Sequence, residues 1–313
     1  MVLMQAVVCT KYGPPDVLQL KEVEKPTPKS NEILIKIFAT AVTTSDTIIR
    51  GFKVPIGFWL PMSIAIGFSK PRKPILGMVL AGEVESTGLA VNRFKPGDQV
   101  FTFNISRFGG YAEFTCLPEN EVITIKPANT SFEEAAAIPY GGMLALHYLK
   151  KGNLQSSQKI LVYGASGAVG TSAVQLARYM GAEVIGVCSA ANIELVKSLG
   201  ASAVIDYTKE DFTNRPERYD FIFDAVGKRK SRGYISKEKS LKALAPHGLY
   251  VSVDDGSPKL YVDGLVHLKE LVESGNIKPV IDRCYPLEQI VEAHRYVDQG
   301  HKKGNVIITV RNH

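Results

Sequence analysis

Cysteine is scarce in this chain, four in 313 residues, and Cys9, Cys116, Cys188 and Cys284 stand far apart. None forms a CxxC pair, so neither a disulfide framework nor a cysteine zinc knuckle is encoded, and a reducing cytoplasm is the expected compartment. An apolar run of membrane length is also lacking. The most apolar surface-like stretch, Ile56 to Phe68, is broken by Pro61 and Ser63. The N-terminal MVLMQAVV has no basic region followed by an apolar core, so no export signal is expected. No repeat or low-complexity tract occurs. Net charge is +6 with a pI near 9.0. The densest basic run, Lys228-Arg229-Lys230-Ser231-Arg232, is isolated and free of interleaved aromatics. It reads as a solvated loop rather than a nucleic-acid reader, while the modest positive field favours capture of an anionic cofactor.

What is present suits two ordinary globular domains, with 45% hydrophobic residues. The most informative stretch is KILVYGASGAVGTSAVQLARYMGAEVIGV, Lys159 to Val187. A strand-type run, Ile160 to Tyr163, leads into Gly164, Gly167 and Gly170. A helix-period segment with Ala173, Val174, Leu176, Ala177 and Met180 on one face follows, then Gly181 and a second strand. Strand, turn, helix and strand in that order form the phosphate-gripping opening of a dinucleotide fold, although Ala165 departs from GxGxxG. Small residues allow the backbone to bend tightly and approach a pyrophosphate, which faces the free amides of the helix start. A glycine-rich connection in some other parallel sheet is the alternative.

Before this stretch the chain is β-rich. Short strands are expected within Val17–Pro26, Glu32–Val42, Ala81–Gly88, Phe94–Phe103 and Gly109–Leu117, with Pro96–Asp98 as a turn. Ser131 to Gly152 looks helical, opened by a Ser131/Glu134 capping box and interrupted at Pro139–Gly142. Beyond Gln158, strands at Lys159–Tyr163, Glu183–Val187, Ala203–Tyr207, Tyr219–Ala225 and Leu249–Val253 alternate with helices at Val169–Met180, Asn192–Leu199 and Ser236–Leu244. That alternation argues for a parallel sheet with helices on both faces. Two further helical segments precede a last strand, GNVIITV, which suits the β-rich part better than the finished parallel sheet.

The motifs KPILGMVLAGEVESTG, FKPGDQVF, GGYAEF, PYGGMLALHYL, GASGAVG, LGASAVIDYTKEDF, FDAVG and GHKKGNVIITV together resemble the medium-chain dehydrogenase/reductase superfamily, in its zinc-free NADPH:quinone oxidoreductase branch. The resemblance spans nearly the whole chain. It implies an α/β protein with a GroES-like catalytic domain over 1–126, a Rossmann doubly wound parallel-sheet domain over 127–261, and a return over 262–313 completing the first. The nicotinamide is then expected in the cleft between the two domains. Zinc members need cysteine, histidine and acid ligands. At the corresponding positions this chain has Thr43, Met78 and Val79, and the four-cysteine structural loop is missing, so no zinc is expected. The six histidines are scattered singly and read as structural or solvated.

An NAD-selective site places an acid near the end of the second strand. Here that strand runs into Cys188-Ser189-Ala190-Ala191-Asn192, without an acid. Ser189 and Asn192 are positioned to donate to a 2′-phosphate, and Tyr207 matches a position that contacts it in relatives, although the arginine many carry is Ala191 here. NADP(H) is therefore expected over NAD(H). Plain helix capping is the alternative role of Ser189 and Asn192. The resemblance adds Ala165, Ser166, Gly167, Ala168, Val169, Gly170, Val226 and Asn305 to the coenzyme site.

Hydride transfer to a quinone or enone needs apposition in a dry cleft and no Lewis acid. The resemblance assigns TTSDTIIRG to the cleft floor, with Thr43 bonding the substrate oxygen or the carboxamide and Asp46 orienting backbone. Ile48, Tyr111 and Leu144 fall in the substrate pocket; Ile48 and Leu144 are apolar where relatives carry tyrosine and threonine, which suggests an apolar acceptor protonated by solvent. Phe52 to Lys73, with Trp59, Phe58 and Phe68, reads as a lid or pocket wall, an interface patch or a core-packed helix pair. The implied function is NADPH-dependent reduction of a quinone or α,β-unsaturated carbonyl. A catalytically weak NADPH-binding sensor or interaction protein, and an alcohol dehydrogenase, are the alternatives. Only Asp254–Tyr261 separates the fifth strand from the next helix, so the sheet-to-sheet dimer usual among relatives is expected to be absent or altered.

Overall fold

The computed structural model describes residues 2–53, 57, 59–227 and 236–310. Phe58, the basic run at 228–232 and His313 lie outside the described residues. In chain order, β1 (Leu3–Cys9) pairs antiparallel with β2 (Leu18–Glu24). β3 (Glu32–Val42) follows, then α1 (Thr44–Gly51) and α2 (Trp59–Ile66), and then β4 (Val79–Thr87), β5 (Gln99–Phe103), β6 (Phe114–Pro118), β7 (Ile123–Ile125) and α3 (Phe132–Ala137). The next segment runs α4 (Pro139–Lys151), β8 (Lys159–Tyr163), α5 (Ala168–Tyr179), β9 (Glu183–Cys188), α6 (Ile193–Ser198), β10 (Ala203–Asp206), β11 (Tyr219–Asp224), α7 (Lys237–Leu241), β12 (Leu244–Ser252) and α8 (Val262–Glu273). The chain closes with β13 (Ile281–Pro286), α9 (Ile290–Asp298) and β14 (Asn305–Thr309).

These elements form two compact units. The first comprises Met1–Pro139 and Ile281–His313, the second Tyr140–Val280. Both breaks fall later than the expected 126/127 and 261/262, because α3 packs on β3 and β4 while Leu268 of α8 packs against Gly142. In the first unit a seven-stranded sheet has the order β13-β14-β3-β4-β5-β7, with β6 also pairing β3. β14 lies antiparallel on β3, Val306 opposite Val42, so the last strand joins the β-rich unit as its sequence suggested. The β-branched run of β3 is buried almost throughout, and Ile33, Ile35 and Ile37 share one core with Leu80, Val84, Val100, Leu117 and Ile308.

The second unit is a five-stranded sheet of order β10-β9-β8-β11-β12, parallel throughout. Its order reverses beside β8, so the turn after β8 sits at the topological switch point where such sheets bind ligands. β12 is the edge, and residues 253–261 form no further strand. The Ser131/Glu134 capping box is present, and the helical segment is interrupted at Ile138, just before Pro139, rather than across Pro139–Gly142. Pro139 instead opens α4, where its missing N–H costs nothing. Gly141 and Gly142 stay inside that helix as close-packing points: a Cβ at Gly141 would lie 2.1 Å from the Ala168 carbonyl oxygen.

Candidate functional site

Each glycine of the β8–α5 turn does a different job. Gly164 has φ +80, and a Cβ there would lie 2.5 Å from Val226 Cγ2. Gly170 lets helix and strand close together, since its Cβ would lie 2.1 Å from the Gly164 carbonyl oxygen. At Gly167 the missing Cβ has only the Gly164 oxygen near it, at 3.6 Å, so this side of the turn is open. Gly167 is also the N-cap of α5 and supplies no side chain to the helix's first amides. Among the described residues, the amides of Ala168, Val169 and Gly170 meet no protein acceptor. Three unclaimed N–H groups at the positive end of a helix, beside an open glycine, can hold an anionic diphosphate. The residues fit a dinucleotide.

Across β9 from this turn lie Ser189 and Asn192. Neither side chain caps its helix, so the capping role open in the sequence is not taken up. Asn192 Nδ2 donates instead to Ser166 Oγ at 3.1 Å and Ser189 Oγ at 3.3 Å, and its buried Oδ1 has no partner. The turn and the β9 end are thereby joined into one polar patch. Tyr207 is half-buried at the close of β10, its amide donating to the Cys188 carbonyl at 3.1 Å. Val226 is half-buried after β11, its amide bonded to Asp224 Oδ1 at 2.9 Å. Leu144 sits nearly buried in α4.

One acid escaped the sequence reading. Asp206 ends β10 and is the Cα partner of Cys188 at the end of β9. It accepts bonds from the Thr208 amide and hydroxyl at 3.0 and 2.7 Å, and the hydroxyl bond holds its carboxyl below the usual range. Its Oδ2 is buried without a partner. The end of β9 itself carries no acid; the parallel register brings one from the neighbouring strand.

In the first unit, Thr43 is the N-cap of α1 and forms a capping box with Asp46. The Thr43 hydroxyl donates to Asp46 Oδ2 at 2.6 Å and accepts from the Asp46 amide at 3.2 Å. Its single proton is therefore engaged, leaving a lone pair for any other partner. Asp46 also accepts the Thr43 amide at 2.9 Å, the backbone-orienting role expected of it. Burial pushes the Asp46 carboxyl up to about 6, against the Thr43 bonds that pull it down. Tyr111 is wholly enclosed, at 0% exposure, with its ring edge on His294. It packs into the core of the first unit.

Behind Asp46 lies a buried charged group that no motif announced. Arg50 Nη1 bonds His294 Nδ1 at 3.0 Å, Nη2 bonds Asp298 at 2.6 Å, and Nε donates to the Gly13 carbonyl at 3.2 Å. Burial, and then the Arg50 charge, hold the His294 pKa well below its ordinary value, so the imidazole is neutral. With Nδ1 accepting, the proton is on Nε2, which has no partner. Ile48 is half-buried on α1, Asn305 is buried at the start of β14, and Trp59 is 48% exposed on α2. The latter excludes the core-packed helix pair.

The alcohol dehydrogenase GroES-like domain model matches residues 29–127, and two zinc-binding dehydrogenase models match 168–272 and 259–308. A 2-methylene-furan-3-one reductase of Solanum lycopersicum is 34% identical over 323 residues, covering 97% of this chain and 79% of that protein. The chain belongs to the medium-chain dehydrogenase/reductase superfamily. Within it, an NADPH-dependent alkenal/one oxidoreductase of Arabidopsis thaliana is 32% identical over 324 residues, with the same coverage of 97% and 79%. The quinone oxidoreductase of Coxiella burnetii superposes with a TM-score of 0.85 at 27% identity, over 99% of this chain and 100% of that one. At the three positions compared with zinc ligands, Thr43, Met78 and Val79 provide no thiolate, imidazole or carboxylate. Among the described residues no group of three or more His, Cys, Asp or Glu is placed to hold a metal ion.

Proposed function

We propose that this protein is an NADPH-dependent, zinc-independent reductase of small hydrophobic quinones or α,β-unsaturated carbonyls. The observation that carries the reading is the open Gly167 turn with three unclaimed amides, in a chain related to enzymes named for alkenal, enone and quinone reduction. The Ala168, Val169 and Gly170 amides bind the coenzyme's diphosphate, with Ala165 letting the backbone come close. Ser166, Ser189 and Asn192 form the 2′-phosphate patch, and Tyr207, Val226 and Asn305 complete the coenzyme's surroundings. When bound, the nicotinamide supplies a hydride.

Thr43 has its proton committed to Asp46, so it accepts the carboxamide N–H rather than donating to the acceptor's oxygen. Ile48 and Leu144 contribute apolar surface that keeps water away, and solvent provides the proton. Asp206 places a negative charge near the 2′-phosphate patch, so preference for NADPH over NADH is modest. Among the described residues the five-stranded sheet ends at β12 with no further strand, which supports an absent or altered sheet-to-sheet dimer, and the cysteines, all free, suit a cytoplasmic setting.

A second reading is supported by one observation: the only hydroxyl assigned to the acceptor is already engaged, which suits a weakly catalytic NADPH-binding protein. Following NADPH absorbance in chelator-treated protein with a benzoquinone, an enone and a simple aldehyde separates the readings. Turnover of either of the first two, without zinc and faster with NADPH than NADH, supports the reductase. Binding without turnover supports the sensor, and zinc-restored aldehyde turnover supports an alcohol dehydrogenase.

A further inference from the structure

The α2 helix inverts the usual pattern of a surface helix. Its sequence WLPMSIAI has one polar side chain, Ser63, and that one is buried, bonding the Trp59 carbonyl at 2.8 Å. The apolar residues face water: Trp59, Leu60, Ile64 and, just beyond the helix, Phe68 are all about half exposed or more. They are held there by the fold. The Tyr12 hydroxyl donates to the Ile66 and Gly67 carbonyls, both at 3.0 Å, and Phe52 and Phe68 meet the Trp59 ring edge-on at 6.2 and 6.4 Å.

Charge along this stretch of the sequence is of one sign. No acid occurs between Asp46 and Glu83, whereas five cations do: Arg50 and Lys53, both paired with Asp298, and Lys70, Arg72 and Lys73. Gly67, at φ +117, turns the chain so tightly that Arg72 N reaches the Ile66 carbonyl at 2.8 Å, bringing the exposed Lys70, Arg72 and Lys73 back to the helix's end. Exposed apolar and aromatic side chains beside Lys70, Arg72 and Lys73, which form no ion pair among the described residues, fit the interface of an anionic bilayer. Eight helical residues span about 12 Å, far too short to cross one.

We propose that α2 and the basic turn after it dock this protein on anionic phospholipid membranes, with Trp59, Leu60, Ile64 and Phe68 dipping among the headgroups. The docking stands apart from the reductase reading, and its test needs no turnover. Trp59 is the only tryptophan, so its emission reports the helix directly. Full-length protein is titrated with vesicles of phosphatidylcholine alone or mixed with phosphatidylglycerol, with and without brominated acyl chains.

A blue shift and bromine quenching with the anionic vesicles only are expected. Lys70→Gln with Arg72→Gln weakens binding on the order of twenty-fold at low salt, about five-fold per cation. Leu60→Glu with Ile64→Glu abolishes it, and Leu89→Glu, at an exposed leucine of a different loop, leaves it intact; circular dichroism checks that each variant folds. No shift with anionic vesicles overturns the proposal, as does equal binding to phosphatidylcholine. So does a dimer by light scattering that the Leu60/Ile64 pair dissolves, which makes the face a self-interface. The same shift with NADPH and no vesicles assigns the helix to the coenzyme's surroundings and also overturns it.

Discussion

Gly167→Ala separates a coenzyme cradle from a merely tight turn. Gly167 has φ −78 and ψ 175, a conformation alanine adopts without strain. Its new methyl would have one neighbour, the Gly164 oxygen at 3.6 Å, which is ordinary contact. Stability should therefore hold or rise by about 0.4–1 kcal/mol through the unfolded chain's lost freedom. The methyl nevertheless stands in the open side of the turn, where a diphosphate must come within hydrogen-bonding distance of the amides. Losing one charge-assisted bond costs about 1.5–3 kcal/mol, so NADPH affinity should fall roughly 10- to 100-fold. Gly170→Ala is the contrast. Its Cβ would lie 2.1 Å from the Gly164 oxygen and 2.8 Å from two Ala165 backbone atoms, a clash costing about 3 kcal/mol or more of stability. Urea unfolding reads stability and NADPH fluorescence titration reads affinity. Unchanged NADPH affinity in a stable Gly167→Ala protein would refute the assignment of this turn.

Ser189→Asp puts an acid at the end of β9 and should raise the KM for NADPH at least about tenfold while sparing NADH, read from initial rates with each coenzyme. Asp46 titrates higher folded than its ordinary 3.8, at about 6, so the stability it contributes is whole below 3.8 and is lost as pH rises through about 6. That loss is on the order of 3 kcal/mol, and Asp46→Asn should flatten this part of the melting temperature's pH profile. Arg50→Met leaves Asp298 with only Lys53, at 3.2 Å, and strips His294 Nδ1 of its donor. Urea unfolding should show a loss of about 2–4 kcal/mol, and a loss under about 1 kcal/mol would contradict the buried-network account.

Much of the fold was legible because strands buried on both faces, the parallel β8 and the antiparallel β3 alike, read as short apolar runs. β8 and β3 take the bounds their sequences announce, Lys159–Tyr163 and Glu32–Val42. Local rules failed where packing overrode them. Gly141 and Gly142 look like helix breakers but serve contacts with Ala168 and Leu268. β12 starts at Leu244, within the segment whose sequence suggested a helix, because it gains a parallel partner in β11. The turn of the candidate site was legible since its glycines are close in sequence. Asp206 was not, because it reaches the β9 end through register between strands, and the Arg50–His294 contact joins residues 244 positions apart. Tyr111 carried no sign that its hydroxyl would be enclosed.

Transfer of deuterium from NADPH labelled at C4 of the nicotinamide, read by mass spectrometry of a reduced enone, tests the central claim most directly. The account predicts one deuterium on the product's β-carbon from chelator-treated protein, with the α-hydrogen drawn from water. Product free of label, or label transferred only after zinc is added, would contradict it.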